Sequence, residues 1–157
     1  MPVIFIISAL IVLFDQATKF LAFQYLRPLD YIPIIPNLFH LSYVQNTGIA
    51  FGLFQNHPEI WSIIISVSVL FLLIGTGFFV NQPLSRKIAY GFILGGAVGN
   101  WIDRIRFHYV IDFLDFRVWP VFNVADSFIT IGVIVFIWYA IRGQQCIPSF
   151  FPMVRFI

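Results

Sequence analysis

The chain alternates between long apolar stretches and short polar segments, and four of the apolar stretches are long enough to predict membrane-spanning helices. Residues 60–80 contain no charged side chain, and about 20 mostly apolar residues suffice to cross a bilayer. The first apolar stretch contains Asp15 and Lys19, and the last contains Asp126 near its beginning. The pattern predicts a membrane protein of the all-α class, a bundle of four transmembrane helices at about residues 3–26, 60–80, 88–106 and 121–142.

The segment between the first two predicted helices, residues 27–58, has a different pattern. Its prolines, Pro28, Pro33, Pro36 and Pro58, prevent a continuous helix. The stretch "LFHLSYVQN" is rich in residues typical of β-strands and is followed by a Thr-Gly turn. The aromatic residues of the segment suit a membrane–water interface. We therefore expect a small sheet or hairpin outside the membrane.

The composition supports an integral membrane protein of one domain, over residues 1–157. Hydrophobic residues make up 60% of the chain, charged residues make up 10%, and the mean hydropathy is +0.91. Soluble domains are roughly 45–50% apolar and about 25% charged. The net charge of +2, without a basic run, argues against a nucleic-acid partner. The single cysteine, Cys146, excludes an intramolecular disulfide and is expected to be a free thiol.

The basic residues give a weak indication of orientation. With four spans, both termini and the loop between the second and third helices lie on one side of the membrane. That side carries Arg86, Lys87, Arg142 and Arg155, and the other side also carries four arginines, so the counts are equal. Because two of these charges lie together in a loop of seven residues, we expect the termini to lie inside.

Two groups of polar residues fall within the predicted helices, where ionisable side chains are costly and often functional. Asp15 and Lys19 are four residues apart and can pair on one helix face. Asn100, Asp103 and Arg104 also have helical spacing, and such a set is as often a structural clamp as a site. Each group alone leaves a structural and a functional interpretation open.

A third group lies outside the predicted helices, in the sequence "NTGIAF". Asn46 and Gly48 fall there in a predicted turn. A glycine in a turn usually reflects backbone geometry alone, so these positions decide nothing by themselves.

The carboxylates around the start of the fourth predicted helix indicate a specific chemistry. Asn123 and Asp126 are three residues apart, so that Asn123 suits the N-cap and Asp126 the first turn. Asp112 or Asp115 comes beside Asp126 if the connector before this helix folds back. Two neighbouring carboxylates share a proton, and one can then activate water while the other polarises a carbonyl. This is the chemistry of an aspartyl protease; the alternative is that Asp126 only caps the helix.

Other catalytic classes lack their residues. The chain has no His-Glu-x-x-His or Gly-x-Ser-x-Gly motif, and its histidines lack zinc-site spacing, so we expect no metal. The glycines of "GFILGGAVGN" are typical of close helix contact. Two alternatives from other classes are a small transporter with a relay of carboxylates and a structural subunit whose ion pairs only assemble the helices.

Five motifs, in order, resemble those of the bacterial lipoprotein signal peptidases, the type II signal peptidases. They are "DQATK", "NTGIAF", "GGAVGNWIDR", "VIDF" and "FNVADS", and they extend over nearly the whole chain. The resemblance implies a four-helix aspartyl protease of the bacterial inner membrane, with cytoplasmic termini, a site near the periplasmic face and no cofactor. The implied substrates are prolipoproteins whose future N-terminal cysteine carries diacylglyceryl, cut on the N-terminal side of that cysteine. The partners are then these substrates and membrane lipids.

The resemblance also implies roles for individual residues. The V-x-D-F and N-x-A-D motifs of the family place the catalytic pair at Asp112 and Asp126, whereas the residues themselves leave Asp115 open. The segment 27–58 resembles the periplasmic β-cradle of the family. His108 departs from the family pattern, in which glycine is common. The positions expected to bind substrate or to support the site are Asp15, Lys19, Asn46, Gly48, Asn100, Asp103, Arg104 and Asn123.

Overall fold

The structure, a computed structural model, describes residues 1–48 and 58–143. It is mostly helical, with one small antiparallel sheet. The α-helices are α1 (Pro2–Leu21), α2 (Pro58–Gly75), α3 (Leu84–Phe107) and α4 (Val124–Gly143), and the strands are β1 (Tyr31–Ile35), β2 (Phe39–Asn46) and β3 (Val110–Asp115). Residues 49–57 of the predicted extramembrane segment, and Cys146, lie outside the described residues.

Two of the described helices are long and apolar enough, by length and composition, to cross a membrane. One is Pro2–Leu26, in which α1 continues into a π-helical turn, and the other is Ser62–Phe79, in which α2 continues into a 3-10 turn. The apolar part of α4, Val124–Tyr139, is shorter. α3 begins at Leu84, before the start expected from hydropathy, because its first turn is basic and hydropathy marks only the apolar part of a helix.

The outer surface of the helices is apolar, and much of the interior is polar. Large apolar side chains such as Leu13, Phe71 and Ile134 are more than half exposed, and an exposed apolar surface of this kind suits contact with lipid. Polar and charged side chains, in contrast, are prominent among those that are fully buried. They are Asp15, Lys19, Asp103, Asp112 and Asn123.

Glycines allow α1, α3 and α4 to approach one another closely. A Cβ added to Gly95 of α3 would lie 2.9 Å from the Cα of Ser8 in α1. One turn earlier, the hydroxyl of Ser8 donates to the carbonyl of Gly91 at 3.0 Å. On a neighbouring face of α3, Gly96 leaves room for the backbone carbonyl of Ala125 in α4. The prediction that these glycines serve close helix contact is confirmed.

The sheet joins the segment after α1 to the segment after α3. β2 lies between β1 and β3, and both pairings are antiparallel. The register places Asn46 opposite Val110 at one end of the β2–β3 pair and His40 opposite Asp115 at the other. A sheet or hairpin was predicted in the segment after α1, but its third strand was not. The residues of β3 were expected to belong to an irregular connector, and in the structure they form a strand.

α3 ends at a residue in the left-handed conformation. His108 has φ 64° and ψ 9°, and its N–H donates to the carbonyl of Arg104 at 3.1 Å. Glycine adopts this conformation without a steric penalty, whereas a residue with a Cβ is disfavoured there. A glycine is therefore the residue that the backbone favours at this position, and His108 makes the same turn at some cost in stability.

Replacing Gly95 with alanine is expected to destabilise the packing of α1 on α3, because the new methyl group would overlap the backbone of Ser8. Extra volume in a packed contact typically costs about 1–3 kcal/mol. Thermal unfolding of the purified protein in detergent measures the change. Gly77→Ala is the matched control, since a Cβ at Gly77 would meet nothing within 4 Å. Equal losses of stability in the two variants would contradict the close-contact role of Gly95.

Candidate active site

A cavity of about 400 Å³ lies between the sheet, α3 and the start of α4. Asp112 of β3 and Asp126 of α4 both line it, and Asp115 is not part of its lining. The remaining lining comes from the end of β2 and the turn after it, from α2 and α3, from the start of β3, and from the residues before α4. These residues are Asn46, Gly48, Ile65, Asn100, Arg104, Val110, Trp119, Pro120, Val121 and Phe122.

Asp112 is held by two side-chain amides. Its Oδ1 accepts a hydrogen bond from Nδ2 of Asn123 at 2.7 Å, and its Oδ2 accepts one from Nδ2 of Asn46 at 2.8 Å. The residue is only 1% exposed. Burial and then the carboxylate of Asp126 raise the pKa of Asp112 to about 7, because burial removes the water that would stabilise its charge and Asp126 repels that charge. This carboxyl group therefore keeps its proton to a much higher pH than an ordinary aspartate does.

Asp126 and Asn123 cap α4 reciprocally. The N–H of Asp126 donates to Oδ1 of Asn123 at 2.9 Å, and the N–H of Asn123 donates to Oδ2 of Asp126 at 3.3 Å. This reciprocal pair is a capping box, so Asn123 is the N-cap that its spacing predicts. The other carboxylate oxygen of Asp126, Oδ1, accepts a hydrogen bond from Nδ2 of Asn100 at 2.8 Å. Asp126 therefore caps the helix and also faces the cavity.

Behind the two carboxylates lies a buried ion cluster. The ammonium of Lys19 lies 2.9 Å from Oδ2 of Asp15 and 2.9 Å from Oδ2 of Asp103. Its third contact is with Oδ1 of Asn100, also at 2.9 Å. Gln16, which was not predicted from the sequence, donates to Oδ1 of Asp103 at 2.9 Å. In the sequence, the only indication that Gln16 belongs to the cluster is its position next to Asp15 in an apolar helix.

The ion cluster also anchors the backbone that carries the cavity carboxylates. Oδ1 of Asp15 accepts a hydrogen bond from the N–H of Ala125 at 2.9 Å, and Oδ2 of Asp103 accepts one from the N–H of Ile111 at 3.2 Å. In each case the donor is the residue directly before a cavity carboxylate. The cluster thereby fixes the starts of α4 and β3 relative to α1 and α3.

Arg104 is a buried cation at the edge of the cavity. It is 4% exposed, and its Nη2 donates to the carbonyl of Gly48 at 2.9 Å. Asn46 stabilises that turn, because its Oδ1 accepts a hydrogen bond from the N–H of Gly48 at 3.1 Å. Among residues 1–48 and 58–143, nothing accepts a hydrogen bond from Nε or Nη1 of Arg104, although buried donors are normally satisfied. These two groups are donors that a bound molecule can use.

Asp115 has a different environment. The hydroxyl of Ser42 donates to its Oδ2 at 2.9 Å, and the N–H of Arg117 donates to its Oδ1 at 2.8 Å. Burial raises the pKa of Asp115, but these hydrogen bonds and the Arg117 guanidinium outweigh burial and hold it below its ordinary value. Of the two aspartates that the residues left open, the fold brings Asp112 to the cavity with Asp126.

The positions singled out in the sequence come together in space. Asn123 joins the pair to the cluster, because its Nδ2 donates to Asp112 and also to Oδ1 of Asn100 at 3.1 Å. The others lie in the cavity lining (Asn46, Gly48, Asn100, Arg104, Asp112 and Asp126) or in the ion cluster (Asp15, Lys19 and Asp103).

The chain is similar over most of its length to proteins of one peptidase family. A family model described as signal peptidase (SPase) II matches residues 7–142. The lipoprotein signal peptidase of Halothermothrix orenii is 43% identical over 144 residues, which cover 90% of this chain and 97% of that protein. The lipoprotein signal peptidase of Caldanaerobacter subterraneus subsp. tengcongensis is 47% identical over 131 residues, which cover 83% of this chain and 90% of that protein.

The fold is similar to that of a bacterial membrane enzyme whose structure was determined by the in meso method at 2.3 Å resolution. The TM-score is 0.82 and the sequence identity is 28%. The match covers 97% of this chain and 95% of the other, so the similarity includes both the helices and the sheet.

The raised pKa of Asp112 predicts a pH-dependent stability. Its value of about 7 in the folded protein lies above the ordinary value of 3.8, so the folded protein binds this proton more tightly than the unfolded chain does. The stability from this group is fully present below pH 3.8 and is lost as the pH rises towards about 7. Asp112→Asn removes that loss. We therefore expect the difference in unfolding temperature, Asp112→Asn minus the unmodified protein, to increase by several degrees between about pH 5 and about pH 8.

Asp115→Asn is the control for this measurement. The pKa of Asp115 is lowered, so its contribution to stability is present above its ordinary value and does not change over the same pH range. Thermal unfolding of both variants in detergent at several pH values gives the comparison. A difference between Asp112→Asn and the unmodified protein that does not vary with pH would contradict the raised pKa.

Proposed function

The chain belongs to the signal peptidase II family, and from that premise we propose that it is an aspartyl endopeptidase with Asp112 and Asp126 as its catalytic pair. Membership of this family supports the removal of signal peptides from prolipoproteins. We propose that the bond cleaved is the one on the N-terminal side of a cysteine that carries diacylglyceryl. The observation that carries the proposal is that both carboxylates line one cavity.

The two carboxylates differ in the way that acid–base catalysis of hydrolysis requires. The pKa of Asp112, about 7, keeps a proton available near neutral pH. Asp126 lies in the first turn of α4, where the helix dipole favours a negative charge. Two carboxyl groups in unlike environments can supply one acid and one base to the same bond.

In the proposed reaction, ionised Asp126 takes a proton from water, and the water oxygen attacks the carbonyl carbon of the scissile peptide bond. Asp112 gives its proton to the carbonyl oxygen, so that a gem-diol forms. Asp126 then passes its proton to the amide nitrogen, Asp112 takes a proton from a gem-diol hydroxyl, and the C–N bond breaks. The products are a signal peptide with a new carboxyl group and a lipoprotein with a free amine. Both aspartates return to their starting states.

Arg104 offers hydrogen-bond donors to a substrate that binds beside this pair. Arg104 lines the cavity, and no described residue accepts a hydrogen bond from its Nε or Nη1. An unsatisfied buried donor costs roughly 1–3 kcal/mol, and a peptide carbonyl oxygen next to the scissile bond can remove that cost. We propose that Asn46 and Gly48 hold the guanidinium in place for this contact, since the Gly48 carbonyl accepts from its third nitrogen.

We propose that the four α-helices cross the bacterial inner membrane, with both termini in the cytoplasm and the sheet on the periplasmic side. The chain has no acidic residue in 60–102 or after Asp126. Arg86 and Lys87 at the start of α3, and Arg142 at the end of α4, lie far along their helices from the cavity. The two sides carry equal numbers of basic residues, but Arg86 and Lys87 lie together in a predicted loop of seven residues. Because Lys and Arg in short loops are typical of the cytoplasmic side of membrane proteins, this pair supports the proposed orientation.

The proposed depth of the site matches the proposed substrate. Acyl chains on the cysteine remain in the bilayer, so they hold the adjacent peptide bond near the outer interface. The cavity lies where α4 begins and the sheet starts, at the end of the helices. Membrane lipids are thus partners of the enzyme as well as the medium through which the substrate arrives. Nucleic acid has no role in this proposal.

Asp112→Asn and Asp126→Asn are each expected to abolish cleavage of a diacylglyceryl-modified prolipoprotein, because asparagine can neither take a proton from water nor return one. A loss of about 10²–10⁴-fold or more is the scale of general acid–base catalysis. Mass spectrometry of the products from purified enzyme in lipid measures both the rate and the bond that is cut.

Asp115→Asn is the matched control for the two catalytic variants. It removes a buried carboxylate from the same strand as Asp112, and only a mild effect on cleavage is expected because Asp115 does not line the cavity. A folded Asp112→Asn or Asp126→Asn enzyme that cleaves at nearly the normal rate would remove that residue from the mechanism. If the folded, unmodified protein leaves the substrate intact, the proposed function is wrong and a small transporter becomes the better hypothesis.

A further inference from the structure

We propose that Lys19 is a positioning residue: by holding Oδ1 of Asn100, it turns Nδ2 of that residue towards Asp126 and makes Asp126 the ionised member of the catalytic pair. The proton of the pair then resides on Asp112. This role rests on the proposed function, and it assigns the base to Asp126 and the acid to Asp112. Lys19 acts on both aspartates through space, and its positioning effect on Asp126 passes through the Asn100 amide.

The orientation of the Asn100 amide is fixed by the chemistry of its neighbours. A lysine ammonium only donates hydrogen bonds, so the atom 2.9 Å from Nζ of Lys19 must be the amide oxygen. The same oxygen accepts from Nδ2 of Asn123 at 3.1 Å. The amide nitrogen is therefore the atom that faces Oδ1 of Asp126, at 2.8 Å. Turning the amide over would make its contacts with Lys19 and Asp126 both repulsive.

Lys19 cannot easily turn away from Asn100. An ammonium group has three N–H donors, and three acceptors lie 2.9 Å from it, on Asp15, Asp103 and Asn100. The two carboxylates are themselves held by backbone N–H groups of α4 and β3. Lys19 is 2% exposed, so water offers no competing acceptor. The ammonium is thus fixed in place, and with it the Asn100 amide.

The charges around Asp126 do not by themselves decide which aspartate is ionised. α1 contributes one cation and one carboxylate, α3 contributes another of each, and β3 contributes the partner of the pair. These groups are Lys19, Asp15, Arg104, Asp103 and Asp112. Lys19 attracts a negative charge on Asp126 through space and Asp15 repels it, so these charges oppose each other and the hydrogen bonds add a difference between the two aspartates.

The hydrogen bonds to Asp112, at 2.7 and 2.8 Å, are no longer than those to Asp126, at 2.8 and 3.3 Å, so it is the polarisation of the donors that favours a negative charge on Asp126. Its Oδ1 accepts from an amide that is polarised by the Lys19 ammonium, and its Oδ2 accepts from the backbone N–H at the start of α4. Polarised donors form stronger hydrogen bonds to a charged acceptor. The donors to Asp112 are the amides of Asn46 and Asn123, whose own oxygens accept only from backbone N–H groups in the described structure.

The proposal predicts the pH dependence of cleavage in Asn100→Ala. In the unmodified enzyme the rate falls at low pH when the pair takes up a second proton, and it falls at high pH when the pair loses its only proton. Removing the donor from Asn100 makes an ionised Asp126 less favourable. We expect the acid limb of the rate profile to move to higher pH by about one unit, which is a tenfold change in proton affinity. The alkaline limb should move less.

A second series tests whether Lys19 acts through this amide. Lys19→Met should move the acid limb in the same direction, and adding Asn100→Ala to it should move the limb no further. Because Lys19→Met alone leaves two buried carboxylates without their cation, the series includes Lys19→Met with Asp103→Asn, which keeps the net charge of the cluster. Gln16→Met is the control: Gln16 donates to Asp15 and Asp103 but not to Asn100 or the pair, so it removes hydrogen bonds from the ion cluster without removing the Asn100 donor, and the limb should not move.

Thermal unfolding at each pH verifies that every assayed variant is folded, and the charge-balanced variant replaces Lys19→Met if the single change does not fold. An acid limb that stays in place in Asn100→Ala, or shifts that add in the combined variant, would overturn the positioning role of Lys19. The aspartyl mechanism would survive that result, because the unmodified enzyme still cleaves. Absence of cleavage by the unmodified enzyme would instead overturn the proposed function itself.

Discussion

The structure depends on keeping a lysine and two aspartates satisfied inside an apolar helix bundle. A charged side chain in the centre of a bilayer costs about 2.5–3.5 kcal/mol on insertion scales, and removing one partner of a buried ion pair costs about 3–5 kcal/mol. That cost is offset only if every donor and acceptor has a partner. The acceptors and donors used by Lys19, Asp15 and Asp103 belong to α1, α3, β3 and α4. Satisfying the charges therefore also assembles the cavity.

Close helix packing is a condition for this arrangement. Oδ1 of Asp15 reaches the backbone of α4 from α1, with α3 packed beside both helices. A Cβ at Gly99 of α3 would lie 2.6 Å from the other oxygen of Asp15, so even an alanine there would displace the carboxylate from Lys19. The small residues of α3 thus serve electrostatics as well as packing. They let the helix backbones come close enough for one side chain to pair with a cation and cap a neighbouring helix at once.

Much of the local structure follows from short-range patterns in the sequence. The uncharged run 60–80 predicts α2, the spacing of Asp15 and Lys19 predicts their ion pair, and the spacing of Asn123 and Asp126 predicts the cap of α4; the contacts of the last two pairs are present. These patterns involve residues within one or two turns of each other. Hydropathy is less informative about helix ends, because the polar first turn of α3 carries no apolar signal.

The long-range parts did not follow from such patterns. β3 is six residues long, and its partner strand lies far away in the chain, since Asn46 and Asp112 are 66 residues apart. Without that strand, Asp112 and Asp115 cannot be told apart by spacing. Within it they can, because residues three apart in a strand face opposite sides. Gln16 was missed for another reason: an uncharged amide beside Asp15 gives no sign that it joins the ion cluster.

Under the proposed function, the position of Asp126 resolves two conflicting requirements of a peptidase whose proposed substrate is anchored in lipid. Hydrolysis needs charge and water, whereas a helix in lipid must be apolar and have its backbone groups satisfied. The first turn of a helix is where free N–H groups need an acceptor in any case, and Asp126 provides one to the N–H of Asn123. From 127 to 141 the helix carries no charge. Moved one or two turns further along α4, the same carboxylate would lose these donors, so the depth of the proposed site is set by the place where the helix begins.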